Sequence, residues 1–397
     1  MTIDAKPSYM PRLRFPEFWD ADCWTEKRLD ALLEYEQPTP YLVSDTNYSP
    51  SFTTPVLTAG KTFLLGYTSE QHGIFSEGLP VIIFDDFTTA CQYVDFPFKA
   101  KSSAMKILRA KDGASAKFMF ERLQTLSFEV GAHERHWISQ FAPMLVAVPE
   151  PAEQQKIAKC LGTLDELIIA ESQKLDALKA HKKGLIQQLF PRKGESVPDL
   201  RFPEFRGAPG WVASQGGDLF LNRKEHGEAG LPIYSVTMND GMVPRASFDR
   251  DFYDIQRPAG NKKVRRGDIC YNMMRMWQGA QGVAPEDCMV SPAYVVLAPR
   301  ENVCAEFFAH YFRLPQSLDL LTATSRGLTK DRLRLYYDDF SRMRMCVPGI
   351  AEQQRIAACL ESLDYSFAAQ CARLESLKAH KQGLMQRLFP STAEVDG

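Results

Sequence analysis

The chain has 397 residues, 45% hydrophobic and 24% charged, with a formal net charge of −2. That length exceeds one typical core and calls for two or more domains. The near-neutral balance excludes a globally basic nucleic-acid binder, so any basic surface must be local. No apolar run of about 18 residues marks a transmembrane helix, and the first residues, MTIDAKPSYMPRLRF, hold no apolar signal core. Nine cysteines without a C-x-x-C pair read as free thiols in a reducing cytoplasm, against a zinc ribbon or disulfide framework.

In chain order, the first element is a short box, PRLRFPEFWDADCW at 11–24, which returns without a gap as PDLRFPEFRGAPGW at 198–211. Residues 25–148 follow as a mixed α/β segment. LPVIIFDDFTTACQYVDFPFKA at 79–100 gives β-branched and aromatic runs broken by turn residues, and AKFMFERLQTL reads as a short helix. The stretch at 96–122 carries seven Lys or Arg against two acids. It contributes Lys99, Lys101, Ser102 and Ser103 as candidate DNA contacts, and GAHERHW adds His133 and Arg135. The AGKT at 59–62 is not a phosphate-binding loop, because Pro55 stands where that motif requires glycine. His133 and His136 are spaced by three with no further Cys or His cluster. They read as a solvent- or DNA-facing pair instead of a zinc site.

Residues 149–191 then match 348–390 at a constant offset, with 24 of 43 positions identical. Such identity establishes internal duplication. Each copy is helical by period. Leu161, Ile168 and Leu175 form one track and Leu164, Leu178 and Leu185 another; the second copy repeats them as Leu360, Phe367, Leu374 and Leu363, Leu377, Leu384. Spacing alternates three and four, a coiled-coil heptad. The stripe is interrupted at Glu171 and Lys182 and at the equivalent Gln370 and Lys381, and Pro191 and Pro390 stop the helices. A narrow apolar stripe needs a helical partner, and the simplest is the other copy. The other possibility is that each helix packs only on its own domain.

The second variable segment, 212–347, repeats the first only loosely. GDICYNMM and SPAYVVLAP read as strands and AEFFAHYFRL as a helix, so the two segments are expected to share a fold with divergent surfaces. QRPAGNKKVRRG holds five Lys or Arg and no acid; Lys262, Lys263, Arg265 and Arg266 suit phosphates. YNMMRMWQGAQG offers Asn272, Arg275, Trp277, Gln278 and Gln281, whose Arg, Asn and Gln side chains can pair with base edges. SRGLTKDRLR adds Arg326, Lys330 and Arg332. Any one such run is as readily a solvated face, and Arg275 as readily a buried structural residue; recurrence in both segments favours nucleic acid. There is no G-x-G-x-x-G, no G-x-S-x-G, no amino-methyltransferase box, and no carboxylate cluster defining a nuclease metal site. The reading is a binder with no catalytic residues and no metal.

The duplicated words LRFPEF with a following Trp, P-x-x-AEQQ-x-IA-x-CL-x-x-LD and KAHK-x-GL-x-Q-x-LFP resemble the specificity subunit of type I restriction–modification systems, in the same order and over nearly the whole chain. That resemblance implies an α+β architecture. Two globular α/β target recognition domains are separated by two long helices in an antiparallel coiled coil, with an internal pseudo-two-fold repeat. The expected divisions are 1–150, 151–197, 198–348 and 349–397: first domain, central helix, second domain, C-terminal helix. It also implies a double-stranded DNA partner and two methyltransferase subunits carrying S-adenosylmethionine. Restriction subunits using ATP and magnesium then join, with no cofactor on this chain, no membrane, and a cytoplasmic location. The alternative of a different class is a coiled-coil scaffold presenting two protein-binding domains. A self-contained nuclease or methyltransferase is disfavoured by the missing motifs.

Overall fold

A computed structural model of the chain describes residues 9–59, 62–126, 136–248 and 258–390. Lys61 of the AGKT stretch, and His133 and Arg135, lie outside the described residues. The chain divides into two compact units, one formed by residues 1–174 with 371–397 and the other by 175–370. The division runs through both long helices, so each unit holds part of Pro151–Leu189 and part of Ile350–Leu388.

In the first unit a four-stranded antiparallel sheet places Leu33–Glu36, Met105–Ala110, Val81–Asp85 and Cys91–Val94 side by side in that order. Val81–Asp85 is buried along its whole length, because the sheet is covered on both faces. Side chains alternate across a strand. Ile82 and Phe84 therefore join Trp24, Phe118, Leu161 and Phe389, while Val81 and Ile83 join Leu57, Phe75 and Phe98. The second layer is a three-stranded sheet of Leu64–Thr68, Thr54–Leu57 and Lys99–Ala100. The helix Ala116–Gln124 starts at Ser115, whose side chain accepts from the Phe118 N–H as an N-cap should.

The second unit repeats the plan. Phe220–Asn222, Tyr294–Pro299, Ile269–Asn272 and Gln281–Val283 form the antiparallel sheet in the same order. Ile269, Tyr271, Val295 and Leu297 face a cluster with Trp211, Phe190, Phe307, Phe308 and Leu360; Cys270 and Val296 face Tyr234, Val264 and Val290. The shared fold expected of the two variable segments is thus present in both.

The duplicated words now have physical meanings. In the first unit Arg14 forks onto Glu153 (Nε–Oε1 2.9 Å, Nη2–Oε2 2.7 Å) and also donates to the Ala21 and Asp22 carbonyls. In the second, Arg201 does the same to Glu352 at 2.7 and 2.6 Å and to the Ala208 and Pro209 carbonyls. Both glutamates lie in the first turn of a long helix, where the dipole favours negative charge. The neighbouring glutamines tie the helix start to the short helix beside it. Gln154 accepts from Ser115 N–H at 3.0 Å and donates to Pro149 O at 2.9 Å; Gln353 accepts from Cys304 N–H at 3.0 Å and donates to Pro348 O at 2.9 Å. The LFP words end each helix in an aromatic socket, Phe389 edge-on to Trp24 and Phe190 edge-on to Trp211.

The two long helices are 39 residues each, about 58 Å at 1.5 Å per residue. They pack together, consistent with a coiled coil linking two globular domains. In the first unit Lys381 meets Asp165 at 2.6 Å and Arg373 meets Glu171 at 2.7 Å. In the second, Lys182 pairs with Asp364, and the Lys179 ammonium lies 5.7 Å from the centre of the Phe367 ring. Numbering rises on one helix as it falls on the other, so the paired stretches run antiparallel within each unit. Leu161, Leu175, Leu360 and Leu374 are buried, and Leu164, Ile168, Leu178, Leu185, Leu363, Phe367, Leu377 and Leu384 half-buried. Leu161 and Leu360 also enter the globular cores, so the helices pack both on each other and on their own domains.

Candidate nucleic-acid interface

In each unit the central strand ends in a residue whose side chain folds the next loop. Asn272 Oδ1 accepts the Met274 N–H at 2.9 Å, and Asp85 Oδ1 accepts the Phe87 N–H at 2.9 Å; both are Asx turns. In the second unit the loop continues into a 3₁₀ turn, Met276–Gln278, closed by left-handed Gly279. Met276 is buried and plugs the turn into the core, Trp277 Nε1 donates to Met274 O at 3.0 Å, and Arg275 and Gln278 are left exposed. Arg275 is therefore not the buried structural residue that was the other possibility.

A second wall stands beside it. The chain at 326–334 closes as a hairpin through Arg326 N–H to Arg334 O at 2.9 Å and Arg334 N–H to Arg326 O at 2.8 Å. Buried Leu333 and Leu335 anchor it, and the Leu335 N–H donates to Met273 O at 2.9 Å, bringing the hairpin against the 273–278 loop. Lys330, Arg332 and Arg334 are exposed on it, while Arg326 is paired with Asp339 at 2.5 Å. Arg334 was absent from the sequence candidates although its basic, glycine-led segment was legible.

The remaining basic run behaves differently from the expectation. Lys262 is half-buried and donates to Tyr294 O at 2.6 Å; burial pushes its ammonium below the ordinary lysine value. Lys263 is held by Glu228 at 2.5 Å and Arg265 by Glu225 at 3.1 Å; among the described residues, Arg266 alone of the four presents an exposed side chain with no such carboxylate. Gln281 is fully buried and donates to Ala309 O at 2.7 Å, so it is removed from base reading.

In the first unit residues 101–104 play the part of 291–293: Asp86 N–H donates to Ala104 O at 3.2 Å, as Met273 N–H does to Ala293 O at 3.4 Å. His136 N–H donates to Asp86 O at 3.0 Å, matching Leu335 to Met273. Here Ser103 is exposed, Ser102 Oγ accepts the Ala104 N–H at 3.1 Å, and the Lys101 ammonium lies 5.7 Å from the centre of the Tyr48 ring. Lys99 is a correction. It is buried, paired with Glu70 at 2.8 Å and donating to His72 O at 2.6 Å; the Lys99 hydrogen bond holds the Glu70 carboxyl down at about 2. His136 is likewise buried, not facing solvent or DNA.

Among the described residues no group of three or more His, Cys, Asp or Glu is placed to hold a metal ion, and no helix is long and apolar enough to cross a membrane. The exposed polar groups on these loops are mainly cations, amides and hydroxyls, with one acid, Asp331, and the apolar Phe87, Met274 and Leu328 beside them. Their chemistry is hydrogen bonding and charge pairing, suited to base edges and phosphates.

No family model matches the chain. It is 32% identical over 357 residues, 85% of each chain, to the Type I restriction enzyme EcoR124I/EcoR124II specificity subunit of Escherichia coli. The fold is similar to that of the S subunit of a type I restriction–modification system from M. genitalium, with a TM-score of 0.66 at 14% identity, covering 97% of this chain and all of that one. It also resembles a chain solved in connection with complex assembly and conformational transition of the type I R-M system, with a TM-score of 0.50 at 18% identity over 93% of this chain and 98% of that one. On the strength of an identity that spans most of both chains, this protein belongs to the specificity subunits of type I restriction–modification systems, the non-catalytic DNA-binding components of those enzymes.

Proposed function

We propose that each unit reads one half of a bipartite DNA target, with the paired helices setting the unspecified gap between halves. The observation that carries this reading is one frame used twice with different loop chemistry. Arg14–Glu153 and Arg201–Glu352 hold equivalent boxes. The loops they support present Arg275, Gln278, Lys330, Arg332 and Arg334 in one unit and Lys101 and Ser103 in the other. Two-fold readers place related modules on related half-sites; duplication within one chain, an internal pseudo-two-fold, frees the halves to differ.

The frame itself supports two copies of a common partner. Ala180, His181 and Gln187 on one helix and Ala379, His380 and Gln386 on the other are identical pairs, all exposed. Identical exposed residues on otherwise diverging units suit two identical methyltransferase subunits, which would carry S-adenosylmethionine. ATP and magnesium would serve restriction subunits that join them.

Exchanging residues 212–347 for the same segment of a relative should alter one half of the methylated sequence and leave the other intact, as read by sequencing methylated sites. A change in both halves would refute modular reading. A protein-binding scaffold is separated by titrating salt: a DNA reader loses affinity steeply as counterions compete, and a flat response would favour the scaffold.

A further inference from the structure

We propose that Leu328 is a base-reading residue that packs on the C5-methyl group of a thymine in the major groove. The proposal rests on the reading of the second unit as a DNA-binding unit and names a specificity contact within it. A singly exposed leucine is ordinary on a protein surface; the place of this one is not. Leu328 is 97% exposed at the tip of the 326–334 hairpin. The hairpin's neck is drawn tight at Gly327, where a Cβ would lie 2.6 Å from the Arg332 carbonyl oxygen. Two buried leucines, Leu333 and Leu335, anchor the second arm of the hairpin. The same segment carries exposed Lys330 and Arg332, and Arg334 at its closing pair, with one exposed acid, Asp331. The adjoining loop presents Arg275 and Gln278.

An exposed apolar side chain on a loop that also carries exposed cations fits one surface in particular. Phosphates draw the cations. The major groove, about 12 Å wide, is the groove in which the thymine C5-methyl is displayed. Within the major groove the thymine methyl is the apolar feature. Arg275 and Gln278 alongside would address hydrogen-bonding edges, and Leu328 the methyl.

The test uses the full chain assembled with its methyltransferase partners and a duplex bearing the site found by mapping methylated positions. Each thymine is replaced in turn by uracil, which lacks only the methyl, and affinity is measured by fluorescence anisotropy at one fixed salt. Uracil at one position should weaken the wild type about fourfold, the equivalent of about 0.8 kcal/mol for one methyl-sized group. Leu328→Ala should be indifferent to uracil there, and Leu328→Met should remain sensitive. Wild-type indifference at every thymine, or a Leu328→Ala protein still sensitive at that position, overturns the proposal. If the wild type shows no preference for the site over unrelated duplex, the DNA reading of this unit falls and Leu328 with it. Preference without uracil sensitivity removes Leu328 alone.

Discussion

Arg201 shows how much one side chain of the frame does. It is nearly buried, forked onto Glu352, and bonded to two carbonyls of the box it belongs to. Arg201→Ala would strand a buried carboxylate, and breaking such a pair costs about 3–5 kcal/mol; urea unfolding should register a loss of that order. Arg201→Lys should rescue little, since an ammonium cannot reproduce the fork. His310 gives a pH-dependent counterpart. Burial, with Lys182 nearby, pushes its imidazole down to about 4, although Asp364 opposes this from 3.9 Å. The unfolded chain therefore binds the extra proton first. Stability from neutral His310 is full above about pH 6.5 and is lost as pH falls toward about 4, up to about 3 kcal/mol. His310→Gln should flatten urea stability across that window; an unchanged slope would mean His310 does not set it. At this scale the sequence was a poor guide. Lys99 looked like a DNA contact and Lys262 like a phosphate ligand, yet Glu70 and the Tyr294 carbonyl meet them from elsewhere in the fold. Charge in a sequence does not announce its partner.

Elements were more legible. The long helices declared themselves through heptad period, and buried strands such as Val81–Asp85 through continuous apolar runs. What periodicity could not supply was the reason for the breaks in the stripe. Lys381 meets Asp165, and Glu121 at 3.0 Å, while Lys117 reaches Asp165 at 2.7 Å. Burial would raise the Asp165 carboxyl, but hydrogen bonds from Lys117 and Lys381 hold it below the usual value. The second unit keeps Lys182 with Asp364 but places His310 where the first has Glu121. The breaks are thus satisfied polar contacts, each lysine answering the aspartate of the opposite copy's LD word. The loop elements are tested by contrast. Arg275→Ala should cost about 1–3 kcal/mol at one base position and relax preference there. Lys330→Ala should weaken binding evenly across sequences and reduce the salt slope by about 1. Competition assays with single-base variants at several salts distinguish the two, and an Arg275→Ala protein with unchanged preference would remove it as a base reader.

At the scale of the whole molecule, the helices as a spacer make a geometric claim. Four residues inserted after Leu178 add about 6 Å of helix, under two base-pair steps of about 3.4 Å. The gap in the methylated sequence should lengthen by one or two base pairs with both halves unchanged; an unaltered gap in active protein would mean that the helices only assemble partners. The divided long helices carry one more consequence, for the order in which the protein is made. Nascent chains ordinarily fold from the N-terminal domain onward. Here the second unit, 175–370, is contiguous, whereas the first needs residues 371–390 to fill its core with Leu388 and Phe389. On the ribosome the second unit can therefore be complete before the first, which closes only once residues 371–390 have emerged. A chain cut ahead of Leu388 should therefore keep the second unit folded and leave the core of the first open.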